Sequence, residues 1–328
     1  MVTSKTNTPS QTAIWLAMLS VYIAWGSTYL AIRFSIETIP PFLMAGFRFL
    51  IAGGLLYLFR RLKGDPAPAR IHWKNAVLIA ALLLVGANGV VSWAEQRVVS
   101  GISALMVASA PLFMVVLGIA VPFFRKKSPK PSWPALFGVA LGFVGIIILI
   151  GPASLFGQES NVDPIGAAAL SLAAFSWAFG SLYSRSAELP ESPLLGTGME
   201  MLCGGFLLLL VGTLTGEWSR FDLAAISQRS LLGMLYLVVF GSLVGYSAYT
   251  WLIRVAPTTL VSTYAYVNPI VALVIGSLLG QESFSSQTIV ASVIIVSAVA
   301  IITLTQASAK KPTPSYELDP VPVQDDCP

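Results

Sequence analysis

Apolar runs, each about as long as a bilayer is thick and parted by short polar stretches, set the pattern of this chain. Ten can be read, over residues 13–33, 42–60, 73–94, 100–123, 133–151, 163–184, 193–213, 230–251, 258–279 and 286–306. About 20 residues at ~1.5 Å per residue cross the ~30 Å of hydrocarbon in a membrane. Backbone polar groups in lipid must be satisfied within such a segment, so each run predicts a helix. The predicted fold class is an all-α membrane protein of ten transmembrane helices.

Marker residues recur at fixed distances. Trp251, Pro269 and Gly276 stand 158 residues after Trp93, Pro111 and Gly118. An offset of 152 relates Trp25 to Trp177, Arg33 to Arg185, Pro41 to Pro193, Gly46 to Gly198 and Gly53 to Gly205. A weaker match at offset 155 sets the run from Gly145 against that from Ala300. Residues 13–151 and 163–306 therefore read as two copies of a five-helix unit, joined by the linker 152–162. They are flanked by a polar N-terminal segment, 1–12, and by a tail, 307–328, whose Pro and charge leave it nothing to bury, so it reads as disordered. Five is odd, so the second copy enters the membrane from the opposite side. The expectation is a pair of inverted repeats, which supplies the two near-equivalent conformations that alternating access needs.

Composition agrees with the pattern. Hydrophobic residues make up 55% and charged residues 10% of the chain, with a mean hydropathy of +0.78; soluble domains carry about 25% charge. The net charge of +4 would suggest nucleic acid in a soluble protein. Here the basic residues sort by side: fourteen fall in segments that share one face of the membrane, against Arg33, Arg97, Arg220 and Arg229 on the other. That bias predicts a topology with both termini cytoplasmic and no nucleic-acid partner. A polar dozen leads into a full-length span, so no signal peptide is expected. Cys203 and Cys327 can form neither a disulfide framework nor a metal site, and His72 is the one histidine. HExxH, GxSxG, P-loop and CxxC patterns are missing, which argues against an enzyme, an ATP-driven pump or a cofactor.

The candidate chemistry lies near mid-depth. Trp25, Trp177, Pro111 and Pro269 converge there, with Ser27, Thr28, Tyr29, Asn88, Ser109, Ser181, Tyr183, Tyr246, Tyr249, Tyr264, Tyr266 and Asn268 around them, and Trp93 nearer a span's end. Proline frees a carbonyl one turn earlier, and Asn and Tyr supply donors and acceptors where unpaired polar groups are costly. Such a set suits a small polar or zwitterionic substrate; the alternative is interhelical hydrogen bonding. Arg48 and Glu200, at equivalent repeat positions, are the ionisable residues inside spans. They are candidates for coupling or gating, or for snorkelling and structural ion pairs. Because they enter from opposite sides, a direct pair between them is not expected. Glu95 closes the third span with Arg97, and reads either as a vestibule residue and candidate for coupling or gating or as a solvated helix end. Gly138 and Gly142 form GxxxG, which predicts close helix packing.

Together these residues resemble the EamA branch of the drug/metabolite transporter superfamily, and within it the bacterial inner-membrane exporters. The resemblance is carried by WGSTYLAIRFSIETIPPFLMAGFRFLIAG from Trp25, GVVSWAEQRVVSGISALMVASAPLFMVVLG from Gly89, GVALGFVGIIIL from Gly138 and VNPIVALVIGSLLGQES from Val267. It implies ten helices around a central cavity built mainly from spans one, three, four, six, eight and nine. It also implies a monomeric carrier, embedded in lipid, that exports amino acids or other small metabolites. Glu282 stands at the family's Gly-Glu position after span nine; the first copy departs from the pattern with Arg125-Lys126-Lys127. Efflux of cationic drugs, a channel and a lipid-handling protein remain alternatives at this stage.

Overall fold

The computed structural model of the chain describes residues 10–125, 131–151 and 162–308. Nearly all of the predicted linker, most of the tail and residues 1–9 lie outside the described residues. Among the described residues nine helices are long and apolar enough to cross a membrane, a tenth apolar helix is shorter, and no strand occurs. We label them α1 Gln11–Ser35, α2 Pro41–Leu62, α3 Arg70–Ala94, α4 Ser100–Ala120, α5 Trp133–Ile150, α6 Pro164–Ser184, α7 Pro193–Leu214, α8 Gln228–Ile253, α9 Tyr264–Gly280 and α10 Ser286–Ser308.

Local sequence explains most of the starts. Ser10, Asp163, Ser192 and Ser227 accept backbone N–H groups at the heads of α1, α6, α7 and α8. Helices α2 and α4 begin after Pro40 and Val99, which offer no side-chain cap. Carboxylates from far along the chain replace it. Glu217 accepts from Phe42 and Leu43 N at 3.3 and 3.0 Å, and Glu282 accepts from Ser100 and Gly101 N at 2.8 and 3.0 Å. Each meets the positive end of a helix dipole as well as its bare donors.

Two helices are irregular at matching places in the two halves. In α3 residues Ala81–Gly89, and in α8 residues Leu237–Val244, are wound as π-helix. Helix α4 is interrupted at Ala108–Ser109, so Pro111 opens its second segment instead of kinking a continuous rod. Pro269, by contrast, sits inside an unbroken α9, whose start is preceded by a one-turn helix, Thr258–Val261. The predicted ninth run from residue 258 is thus two pieces.

Packing repeats as the sequence does. Helix α1 lies against α8 and α9, α6 against α3 and α4, while α2 pairs with α7 and α5 with α10. Exchanging each helix for its counterpart five places on converts this set of contacts into itself. Glycines bring α2 and α7 backbone to backbone: a Cβ on Gly53 would lie 2.7 Å from Leu202 N, and one on Gly205 would lie 2.7 Å from Leu50 N. Gly138 faces Ile302 of α10 and Gly142 faces Leu112 of α4, so both glycines of the GxxxG pair are used in contacts within the chain. The largest apolar cluster, including Met44, Val91, Leu105, Leu112 and Ile295, joins α2, α3, α4 and α10 around one end of a central space.

Candidate functional site

That space is a cavity of about 460 Å³, within the range of small-molecule sites. Trp25 of α1 stands over a cluster of rings: Tyr246 and Tyr249 of α8 and Tyr264 of α9 have centroids 5.3, 5.2 and 5.4 Å from its own. Edge-on and tilted geometries of this kind favour aromatic pairs. The π-helical turn makes room for it. Trp25 Nε1 donates to Gly241 O at 3.2 Å, and a Cβ on Gly245 would lie 2.4 Å from that nitrogen. Thr28, Tyr29, Asn88, Pro111, Trp177, Asn268 and Pro269 complete the mid-depth lining. Asn88 Nδ2 donates to Leu83 O at 3.0 Å, a carbonyl of the α3 π-turn. Asn268 Oδ1 is buried and accepts no hydrogen bond from the described residues.

The repeat is not reproduced in chemistry. At offset 158 the three tyrosines correspond to Asn88, Val91 and Met106. One wall carries the ring cluster, while the facing wall sets Asn88 and Val91 beside Trp177.

Arg48 also lines the cavity. It is 4% exposed, its Nε donates to Ser242 Oγ at 3.0 Å, and its guanidinium carbon lies 4.7 Å from the centre of the Phe49 ring. Among the described residues neither Arg48 nor Glu200 forms an ion pair, although Tyr246 is within electrostatic reach of both. Glu200 does not line the cavity.

One end is open. Ile119, Ser132, Arg185 and Ile253 line the cavity there and are exposed. The other end is sealed by Ile32, Val91, Val98, Ile102 and Leu105, all buried. Above this plug Arg33 ties four elements together. Its Nη1 donates to Glu95 O and Val98 O at 3.3 Å each, and its Nε lies 3.9 Å from Glu282 Oε1. Glu95 is not a solvated helix end. It is 1% exposed, and among the described residues neither carboxyl oxygen has a hydrogen-bond partner. One residue past its span, it is held well above the usual carboxylate range by burial and then by the Glu282 carboxylate, with Arg33 opposing.

The remaining sequence candidates lie elsewhere. Ser27 Oγ bonds Tyr236 Oη at 2.7 Å, Ser109 Oγ donates to Met106 O, and Tyr183 Oη donates to Asn75 Oδ1 at 3.2 Å. Trp93 lies under the Arg97 guanidinium at 5.3 Å near the sealed end, Tyr266 packs on the main core, and Ser181 does not line the cavity. Sequence reasoning passed over Arg185 and Gly241, which do line it. Arg185 had a signal, as the repeat partner of Arg33.

The EamA-like transporter family matches this chain twice, over residues 11–151 and 164–304. The chain belongs to the EamA-like transporter family. Like other EamA-like proteins it is a membrane-embedded transporter of small molecules and not an enzyme. It is 41% identical to the uncharacterized inner membrane transporter YedA of Escherichia coli K12, over 88% of this chain and 90% of that one. It is 28% identical to Protein PecM of Dickeya dadantii, over 85% of this chain and 88% of that one. A WAT1-related chloroplastic protein of Arabidopsis thaliana is 27% identical, over 88% of this chain and 69% of its own. A solved crystal structure with 20% identity shares the fold at a TM-score of 0.59, covering 90% of this chain and 98% of its own.

Proposed function

We propose that this EamA-like protein is a secondary carrier that exports small metabolites, amino acids and related compounds foremost, across the bacterial inner membrane by alternating access. The observation that carries the reading is a mid-depth cavity open at one end and plugged at the other. A channel needs a continuous path, whereas a carrier exposes its site to one side at a time. The matched helix pairings support two five-helix repeats of inverted topology, ten spans in all, working as a monomer in lipid. Arg185 lines the mouth, and the alternation of spans puts the loop residues Arg60, Arg61, Lys63 and Arg70 on that same side. By the positive-inside bias the mouth is cytoplasmic, both termini are inside and this conformation is inward-open.

Substrate would bind between the Trp25 cage and Trp177, touching Thr28, Tyr29, Asn88, Pro111 and Asn268, with the Arg33–Glu95–Glu282 group acting as the outer gate. The test is reconstitution of the full chain in liposomes loaded with amino acids. Saturable efflux with counterflow, lost in Trp177→Ala, is expected. Flux that never saturates and shows no counterflow would favour a channel instead.

A further inference from the structure

Among the described residues that line the cavity none is an aspartate or glutamate, while two are arginines. Arg185 stands at the mouth and Arg48 at mid-depth beside the aromatic wall. The Arg48 guanidinium approaches Gly241 so closely that a Cβ there would lie 3.0 Å from its Nη2, and Trp25 Nε1 donates to that same glycine's carbonyl. A positive charge and a flat apolar surface therefore meet at one point of the wall.

Taking a guanidinium out of water without a counter-ion is costly, and the cost is met when an anion arrives. Ser242 supplies one acceptor and, among the described residues, no carboxylate lies within ion-pair distance, although Glu200 occupies the equivalent position in the other half. Tyrosine and tryptophan faces also attract cations. A cation in this cage would share a low-dielectric space with Arg48, whose full charge opposes it, so the aromatic wall serves as an apolar surface.

We propose that the cavity selects carboxylate-bearing compounds with a flat apolar body, the carboxylate pairing with Arg48 and the body lying against Trp25, Tyr246 and Tyr264. The inference rests on reading this cavity as the transport site. It makes a free carboxylate necessary for binding, and it counts against lipophilic cations as cargo.

The test is thermal stabilisation of the purified full chain by four probes of one shape: 3-phenylpropionate, its methyl ester, its amide and 3-phenylpropylamine. The acid should stabilise the protein in a saturable way and the other three should not. Arg48→Gln should bind the acid about tenfold more weakly or worse, as expected for losing one partner of a buried charge pair, and Arg48→Lys should retain part of the binding. If Arg48→Gln does not fold, the four-probe comparison on the natural chain still decides. Equal stabilisation by the ester, amide or amine, or none by the acid, overturns the inference, as does undiminished binding of the acid by Arg48→Gln. Counterflow separates this from the carrier reading. Transport of amines alone would leave the carrier reading intact and sink the charge selection, while acid binding without counterflow would do the reverse.

Discussion

Glu95 is a carboxyl with no hydrogen-bond partner among the described residues and almost no solvent, one residue beyond its span. Its value is raised by burial and then by Glu282, so the sealed fold holds the neutral form more tightly than the unfolded chain does. Its contribution to stability is complete below about pH 4.3, the ordinary glutamate value, and is lost as pH rises towards the raised folded value. Melting temperatures measured between about pH 5 and about pH 8 should fall for the natural chain relative to Glu95→Gln. Parallel profiles for the two would mean that Glu95 is ionised or solvated. From the sequence Glu95 reads as a helix-end acid, either a vestibule candidate for gating or simply solvated. Nothing local distinguishes a wet end from a dry one, because its burial is set by Arg33 and Glu282, which are far off in the chain. The cage around Trp25 was more legible, since a tryptophan at mid-span has few uses other than facing a neighbour or a cavity.

Helices as units were read well from the runs of apolar residues, and their starts from proline and serine. The two π-helical stretches were not, because Ala81–Gly89 and Leu237–Val244 carry ordinary apolar sequence. The extra residue per turn is settled by what must fit beside it, here Trp25 on Gly241 and Gly245. The role of Glu282 was equally hidden, because the helix it caps begins 182 residues away. Two changes test these elements. Glu282→Ala should destabilise by roughly 0.5–2 kcal/mol, the cost of a lost helix cap, as read by thermal unfolding. Gly53→Ala forces a methyl into the α7 backbone and should cost about 1–3 kcal/mol, whereas Gly64→Ala, with nothing within 4 Å but a φ of +92°, tests loop strain without overpacking.

At the scale of the whole molecule the duplication was the most legible feature, since it needs only a count between matching residues. Two-fold pairing of the helices follows from it; which end is closed does not, because both states share one sequence. The repeat makes Arg185 the counterpart of Arg33. In the conformation with the opposite end open, Arg185 should leave solvent and tie the inner ends of α4, α6, α8 and α9. A thiol reagent confined to the cytoplasmic side should modify Ser132→Cys readily in the present state, and more slowly when substrate is supplied from outside. Arg33→Ala should loosen the outer seal and slow that labelling further. An unchanged rate in both cases would argue against exchange between two states.

The two states of the proposed carrier would not be equal. The position matching Glu282 in the first half is Phe124, buried against Phe179 and followed by Arg125. When the inner end closes, Arg185 therefore finds an aromatic ring where Arg33 finds a carboxylate. A passive carrier cannot turn that difference into work, for the ratio of maximal rate to half-saturation must be the same in both directions. What the difference sets is sidedness. On the carrier reading proposed above, empty molecules should accumulate facing the cytoplasm, so that cargo inside the cell meets a competent site at low concentration. Cargo outside meets one only after the rarer conformer has formed, and half-saturation rises by the inverse of that fraction.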